Sequence, residues 1–258
     1  MAEESINNHE TRKYAVVTGG NKGIGYEICR QLMKKGVMVV LTARDEKRGK
    51  EAVEKLMREG SLDQNLVVFH QVDVVDPASV SSLVDFIKSK YGKLDILVNN
   101  AGINGLMIEG DVTILPELIE RDAARALSIT TELVSNEWAI KALSDGEGLT
   151  TEKVDEVLNK FLVDFKEGLL EEKGWPTDMA AYKLSKAALN AYTRIVAQKY
   201  SSICVNCICP GYTKTDITCN TGPLTPEEAT ESPVILALLP EGGPSGQFFF
   251  RKNVLATF

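Results

Sequence analysis

The chain has 258 residues, a formal net charge of −7, and side chains that are 44% apolar and 25% charged. That length suffices for one large domain with its own core, and the composition excludes a disordered, collagenous or coiled-coil chain. The acidic balance speaks against nucleic acid as a partner, and no apolar run approaches the roughly 20 residues that span a bilayer.

Residues 1–11 read as a flexible, solvated tail ahead of one domain at 12–258. The tail has neither an apolar signal core nor an Arg-rich transit character, so a cytoplasmic location is expected. Four short apolar runs follow: Tyr14–Thr18, Val37–Thr42, Leu66–Val72 and Leu94–Val98. Continuous β-branched runs fit strands buried on both faces of a parallel sheet. Helical periodicity fills the spaces between them, at Ile24–Lys35, at Glu46–Glu59 and from Pro77 to about Tyr91. Asp76-Pro77 supplies an N-cap and a proline at the first helical position. The alternation predicts an α/β, Rossmann-like, doubly wound parallel sheet.

Beyond Ile103 the pattern changes. One or two short helices are expected over Asp111–Ala126, and Leu127–Ser135 is ambiguous between strand and helix. An amphipathic helix is expected at Thr150–Glu172 and a long one at Asp178–Tyr200. Then come a strand at Ile203–Cys209, a helix at Glu227–Leu239 and a last strand at Gly246–Phe250.

The five cysteines are Cys29, Cys204, Cys207, Cys209 and Cys219. An odd number without a secretion signal fits a reducing compartment. Cys204 and Cys207 make a C-x-x-C, but residues three apart on a strand face opposite ways, so buried apolar thiols are expected rather than a metal or redox pair. His9 and His70 are the only histidines, which leaves no basis for a His triad or a His-rich metal site.

The first strand runs into TGGNKGIG, residues 18–25. Glycines at a strand-to-helix turn let backbone approach a pyrophosphate, and the helix N-terminus offers free N–H groups and a positive dipole end. The second strand ends in Thr42-Ala43-Arg44 with no acid before Asp45. Arg44, with Lys22 inside the loop, favours a 2′-phosphate and so NADP(H). Asp73, ending strand three, suits either an adenine amino group or a turn, and Asn99-Asn100-Ala101-Gly102 ends strand four. Tyr182 and Lys186 are spaced i, i+4 and share one helix face. An ammonium beside a phenol stabilises the phenolate and lowers its pKa, which suits the pair to proton exchange with a carbonyl or alcohol oxygen.

TGxxxGxG, NNAG, YxxxK and the 210–215 phrase PGYTKT occur in order and together resemble the short-chain dehydrogenase/reductase family. NEWA (136–139), KGWPT (173–177), SKAALNAYTR (185–194) and GGPSG (242–246) are similar to its plant branch of neomenthol dehydrogenase-like and salutaridine reductase-like proteins. The resemblance implies a pyrophosphate cradle at Gly19, Lys22, Gly23, Ile24 and Gly25, with Arg44 on the 2′-phosphate. It implies Asp73 and Val74 at adenine, Asn100 at the adjoining ribose, and Tyr182 as proton donor. Lys186 would bind the nicotinamide ribose and tune Tyr182. Backbone after Pro210-Gly211, near Thr213, would meet the carboxamide, with Thr215 near phosphate. A helical lid insert at about 145–175, a monomeric state and a small-molecule ketone or alcohol substrate are implied as well.

The chain departs from the family in one place. Neither the helix asparagine phrase nor the NVSS-like serine phrase is found in the 33 residues of 103–135. A missing central strand five is therefore expected, with Ser128 or Ser135 as the candidate substitutes for the serine. Two functions follow: an NADPH-dependent carbonyl reductase, or a truncated relative that retains at most NADP(H) binding.

Overall fold

The computed structural model describes residues 12–59, 62–103 and 134–255. They group into two compact units. One holds the chain to Ile103 with Thr213–Asp216 and Gly222–Leu238; the other holds Asn104–Tyr212, Ile217–Thr221 and Leu239–Phe258.

In the first unit the elements alternate as β1 (Tyr14–Val17), α1 (Gly23–Lys34), β2 (Met38–Ala43), α2 (Glu46–Arg58), β3 (Val67–Gln71), α3 (Pro77–Tyr91) and β4 (Ile96–Val98). The four strands form a parallel sheet in the order β3-β2-β1-β4. Every residue of β1 and β2 is buried, as their unbroken apolar runs require. Side chains alternate between faces. Ala15, Val17, Val39 and Leu41 join Ile28, Leu32, Val53 and Leu56 of α1 and α2, while Val16 and Val40 join Leu83 and Ile87 of α3. Caps fix the helix starts: Asp45 accepts from the Arg48 N–H, and Asp76 accepts from Ala78 ahead of Pro77. The later helix α7 (Pro226–Ala237; α4 to α6 belong to the other unit) packs on α1 through Val234 and a 2.7 Å bond from Gln31 Nε2 to Thr230 Oγ1.

The second unit contains α4 (Glu137–Ser144), α5 (Thr151–Lys166), α6 (Ala180–Lys199) and strands β5 (Cys207–Cys209), β6 (Phe248–Phe250) and β7 (Asn253–Leu255). The pairs β5–β6 and β6–β7 are parallel and antiparallel respectively. Its core is Leu143, Val154, Val157, Phe161, Trp175, Leu184, Ala187 and Ala191. The short alanine side chains of α6 let α4 and α5 approach closely.

Several expectations are corrected here. The insert helix stops at Lys166 rather than Glu172, because Gly168 turns left-handed at φ 73. The strand expected at Ile203–Cys209 is only Cys207–Cys209, so Cys204 lies outside it. Phe248–Phe250 is not the last strand: Arg251, at φ 53, turns the chain back into β7. Cys29 is buried, but Cys204, Cys207 and Cys209 are half-buried and Cys219 is exposed. The Cys204 and Cys207 thiols point at carbonyls, of Gly243 at 3.5 Å and of Gln247 at 3.7 Å. The tail at 1–11, the helices expected at 111–126 and most of Leu127–Ser135 lie outside the described residues. Among those described, β4 pairs as a strand with β1 alone.

Candidate active site

The first unit holds the glycine loop with Lys22, Arg44, Asp73, Val74, Asn100, Thr213 and Thr215, while Tyr182, Lys186, Pro210 and Gly211 belong to the second. Gly19 and Gly23 hold φ of 64° and 56°, which favour glycine. A Cβ on Gly25 would lie 2.4 Å from both Asn100 Nδ2 and the Gly19 carbonyl, so the first turn of α1 is closed onto the loop. Thr18, which sequence reasoning passed over, ties the ends of β1 and β4 together. Its hydroxyl accepts from the N–H groups of Asn100 (2.9 Å) and Ala101 (3.0 Å). Asn100 Nδ2 donates to the carbonyls of Thr18 (2.9 Å) and Gly19 (3.2 Å). Its amide is thus engaged in shaping the loop.

Lys22 is the N-cap of α1, and its ammonium is bonded to Asp216 Oδ2 at 2.9 Å. Asp216 directly follows Thr215, whose Cγ2 would be 3.4 Å from a Cβ on Gly23. Thr213 and Thr215 are buried in the same unit. Ile24 packs against the core cluster. Arg44 is exposed at the end of β2, where its carbonyl accepts from Gln71 Nε2. The next acid, Asp45, is occupied in capping α2. Asp73 accepts from the Val75 N–H at 3.2 Å, which makes it a turn residue, and Val74 is half exposed.

These residues fit a phosphorylated dinucleotide. The first turn of α1 carries no acidic side chain, two left-handed glycines open the turn, and Lys22 and Arg44 are exposed cations at the strand ends. Gly23 would face the pyrophosphate, with Lys22 and Arg44 as the two cations near the ribose and its 2′-phosphate.

The second unit carries the expected chemistry on α6. Lys186 Nζ stands 5.4 Å from the centroid of the Tyr182 ring. Burial pushes the Tyr182 phenol above its ordinary 10.0, and the Cys209 thiol adds to this; burial pushes the Lys186 ammonium below its ordinary 10.5. Burial thus holds the phenol protonated and is the largest influence on both groups. Cys209, at the end of β5, is itself raised by burial and held back by the Gly211 backbone and then Lys186. Gly211, at φ 93, follows Pro210. Ser135 donates its hydroxyl to the Gly174 carbonyl at 2.8 Å, and Asn136 Nδ2 donates to the Lys173 carbonyl at 2.6 Å. Ser135 thus anchors the start of α4 to the KGW segment, while Ser128 lies outside the described residues.

The short chain dehydrogenase family profile matches residues 13–137, and the enoyl-(acyl carrier protein) reductase profile matches 168–233. The chain is 46% identical to (+)-neomenthol dehydrogenase of Capsicum annuum, covering 98% of this chain and 99% of that one. It is 43% identical to salutaridine reductase of Papaver somniferum, with both chains fully covered. Menthone neomenthol reductase from Mentha piperita superposes with a TM-score of 0.83 at 43% identity, covering 94% of this chain and all of that one. The Capsicum alignment runs over 315 positions against 258 residues here, so at least 57 positions hold no residue of this chain. Both chains are covered almost end to end, so the shortfall is internal, as the missing phrases led us to expect.

Proposed function

This chain belongs to the short-chain dehydrogenase/reductase family, and on that premise we propose that it is an NADPH-dependent carbonyl reductase acting on a ketone of a terpenoid- or alkaloid-like small molecule. The observation that carries this is the Tyr182–Lys186 pair, with the phenol held protonated beside the ammonium. Relatives named for menthone, neomenthol and salutaridine support the substrate class.

Bound NADPH supplies the hydride. Tyr182 hydrogen-bonds the substrate carbonyl oxygen and gives it a proton as the carbon is reduced; in the reverse direction the phenolate takes that proton back. Lys186 holds the nicotinamide ribose and balances the phenolate left after proton donation. In the loop, Gly19, Gly23, Ile24 and Gly25 bring backbone N–H groups to the pyrophosphate, while Lys22 and Arg44 neutralise phosphate. Asp73 and Val74 border adenine, Asn100 the ribose, and Pro210, Gly211, Thr213 and Thr215 the carboxamide side and a phosphate. The segment at about 145–175 acts as a lid, braced by the 2.8 Å bond from Trp175 Nε1 to Asp164. Five free thiols suit a reducing cytoplasm, and the family resemblance suggests a monomer.

A second function has its own support. With at least 57 positions missing, the alternative is a truncated relative that retains NADP(H) binding without turning substrate over. Ketone-dependent NADPH oxidation decides between the two. Turnover that depends on Tyr182 establishes the reductase, and bound NADPH without turnover over a broad ketone panel establishes the impaired relative.

A further inference from the structure

The cation best placed for the cofactor phosphate already has an anionic partner. Lys22 sits at the N-terminus of α1, where helix dipole and free N–H groups favour an anion, yet its ammonium is bonded to Asp216 Oδ2 at 2.9 Å. Asp216 is 194 residues away in sequence, and it is brought there by the Thr213–Asp216 segment of the same unit, which runs beside Gly23. Both side chains are more than half exposed, at 58% and 67%, so each is free to exchange its partner with a charged ligand.

We propose that Asp216 sets the strength and selectivity of phosphate recognition at this loop by competing for Lys22. This rests on the reading above that NADP(H) is the cofactor. A dinucleotide 2′-phosphate and the Asp216 carboxylate are both anions seeking one ammonium. Binding the phosphate requires Lys22 to leave Asp216, or to be shared with a like charge close by, and either weakens the phosphate contact. NADH has no 2′-phosphate and escapes this competition. Asp216 thus narrows the preference for NADPH over NADH that Arg44 and Lys22 create. Nothing in the glycine motif reveals it, because the acid lies outside the loop and meets it only through the fold.

Removing the charge while keeping the shape tests this. Dissociation constants for NADPH and NADH are measured by calorimetry on the wild-type chain, Asp216→Asn, Lys22→Met and the double variant, at two salt concentrations. Asp216→Asn is expected to tighten NADPH about two- to fivefold, the span of an exposed ion pair, and to steepen its salt dependence. NADH affinity is expected to stay unchanged, and the NADPH gain to vanish when Lys22 is Met. Unchanged or weaker NADPH binding in Asp216→Asn overturns the proposal, as does an equal gain for both cofactors or a gain that survives in the double variant. A wild-type chain that binds neither nucleotide overturns the cofactor assignment along with it; one that binds NADPH with an inert Asp216 overturns this proposal alone.

Discussion

Asn100 donates its side-chain amide to the Thr18 carbonyl at 2.9 Å, and the same nitrogen lies 2.4 Å from where a Cβ on Gly25 would stand. One contact thus joins the end of β4, the end of β1 and the first turn of α1. Gly25→Ala forces Asn100 or the Gly19 carbonyl to move, and overpacking of this kind costs about 1–3 kcal/mol. The expected outcome is a lower melting temperature and NADPH affinity reduced by tenfold or more. Circular dichroism and nucleotide titration check the two effects.

Tyr182 and Lys186 separate chemistry from binding. Tyr182→Phe removes the proposed proton donor and leaves the ring beside Lys186. A positioned acid contributes about 10²–10⁴-fold, so kcat should fall by that order with NADPH affinity retained. Lys186→Ala should lower kcat and weaken NADPH binding together, because the proposed role of the ammonium includes holding the nicotinamide ribose. Steady-state kinetics with parallel fluorescence titration separate these patterns.

The brace of the insert predicts an acid-sensitive stability. Lys160 first, and then the Trp175 indole, hold the Asp164 carboxyl below its ordinary 3.8. A group whose folded pKa is depressed stabilises the fold fully above its unfolded value, and the contribution is lost as pH falls through the folded one. Asp164→Asn should therefore lower the melting temperature by several degrees at pH 7. The gap to wild type should close progressively below about pH 3.8. Thermal melts followed by tryptophan fluorescence across pH 2–7 would show it.

A stabilising change is expected at Tyr91. Its hydroxyl is buried with no hydrogen-bond partner among the described residues, while its ring stacks on Tyr14 at 4.6 Å. Tyr91→Phe keeps the stack and removes the unsatisfied group, worth about 1 kcal/mol. The melting temperature should rise by about 2–4 °C, with NADPH binding unaltered.

The first hundred residues were legible because local signals agree with their tertiary setting. Unbroken runs such as VMVVLT become strands buried on both faces, and Asp76-Pro77 opens α3 where expected. Legibility fails where an end depends on one backbone angle: Gly168 cuts α5 short, and Arg251 makes a turn without glycine. The start of α7 was in reach, since Thr225-Pro226-Glu227-Glu228 is a capping box. Motif reasoning gave Asp73 and Asn100 ligand contacts and did not foresee that both side chains also bond the chain itself. It missed Thr18 and Asp216, whose partners are distant in sequence and are set by the fold.

The shortened length bears most directly on activity. Leu97 on β4 is 53% exposed, and Leu189 and Tyr192 on α6 are each 47% exposed, so apolar surface stands open on both units. Against that, the Lys186 ammonium of α6 stands 5.4 Å from the Tyr182 ring centroid, as the proposed chemistry requires of neighbours. The most direct measurement is NADPH oxidation by the purified chain against a panel of cyclic terpenoid and alkaloid ketones, with Tyr182→Phe alongside. The account predicts ketone-dependent oxidation in the wild type and its loss in Tyr182→Phe, which still binds NADPH. Bound NADPH with no ketone turnover in the wild type would contradict it.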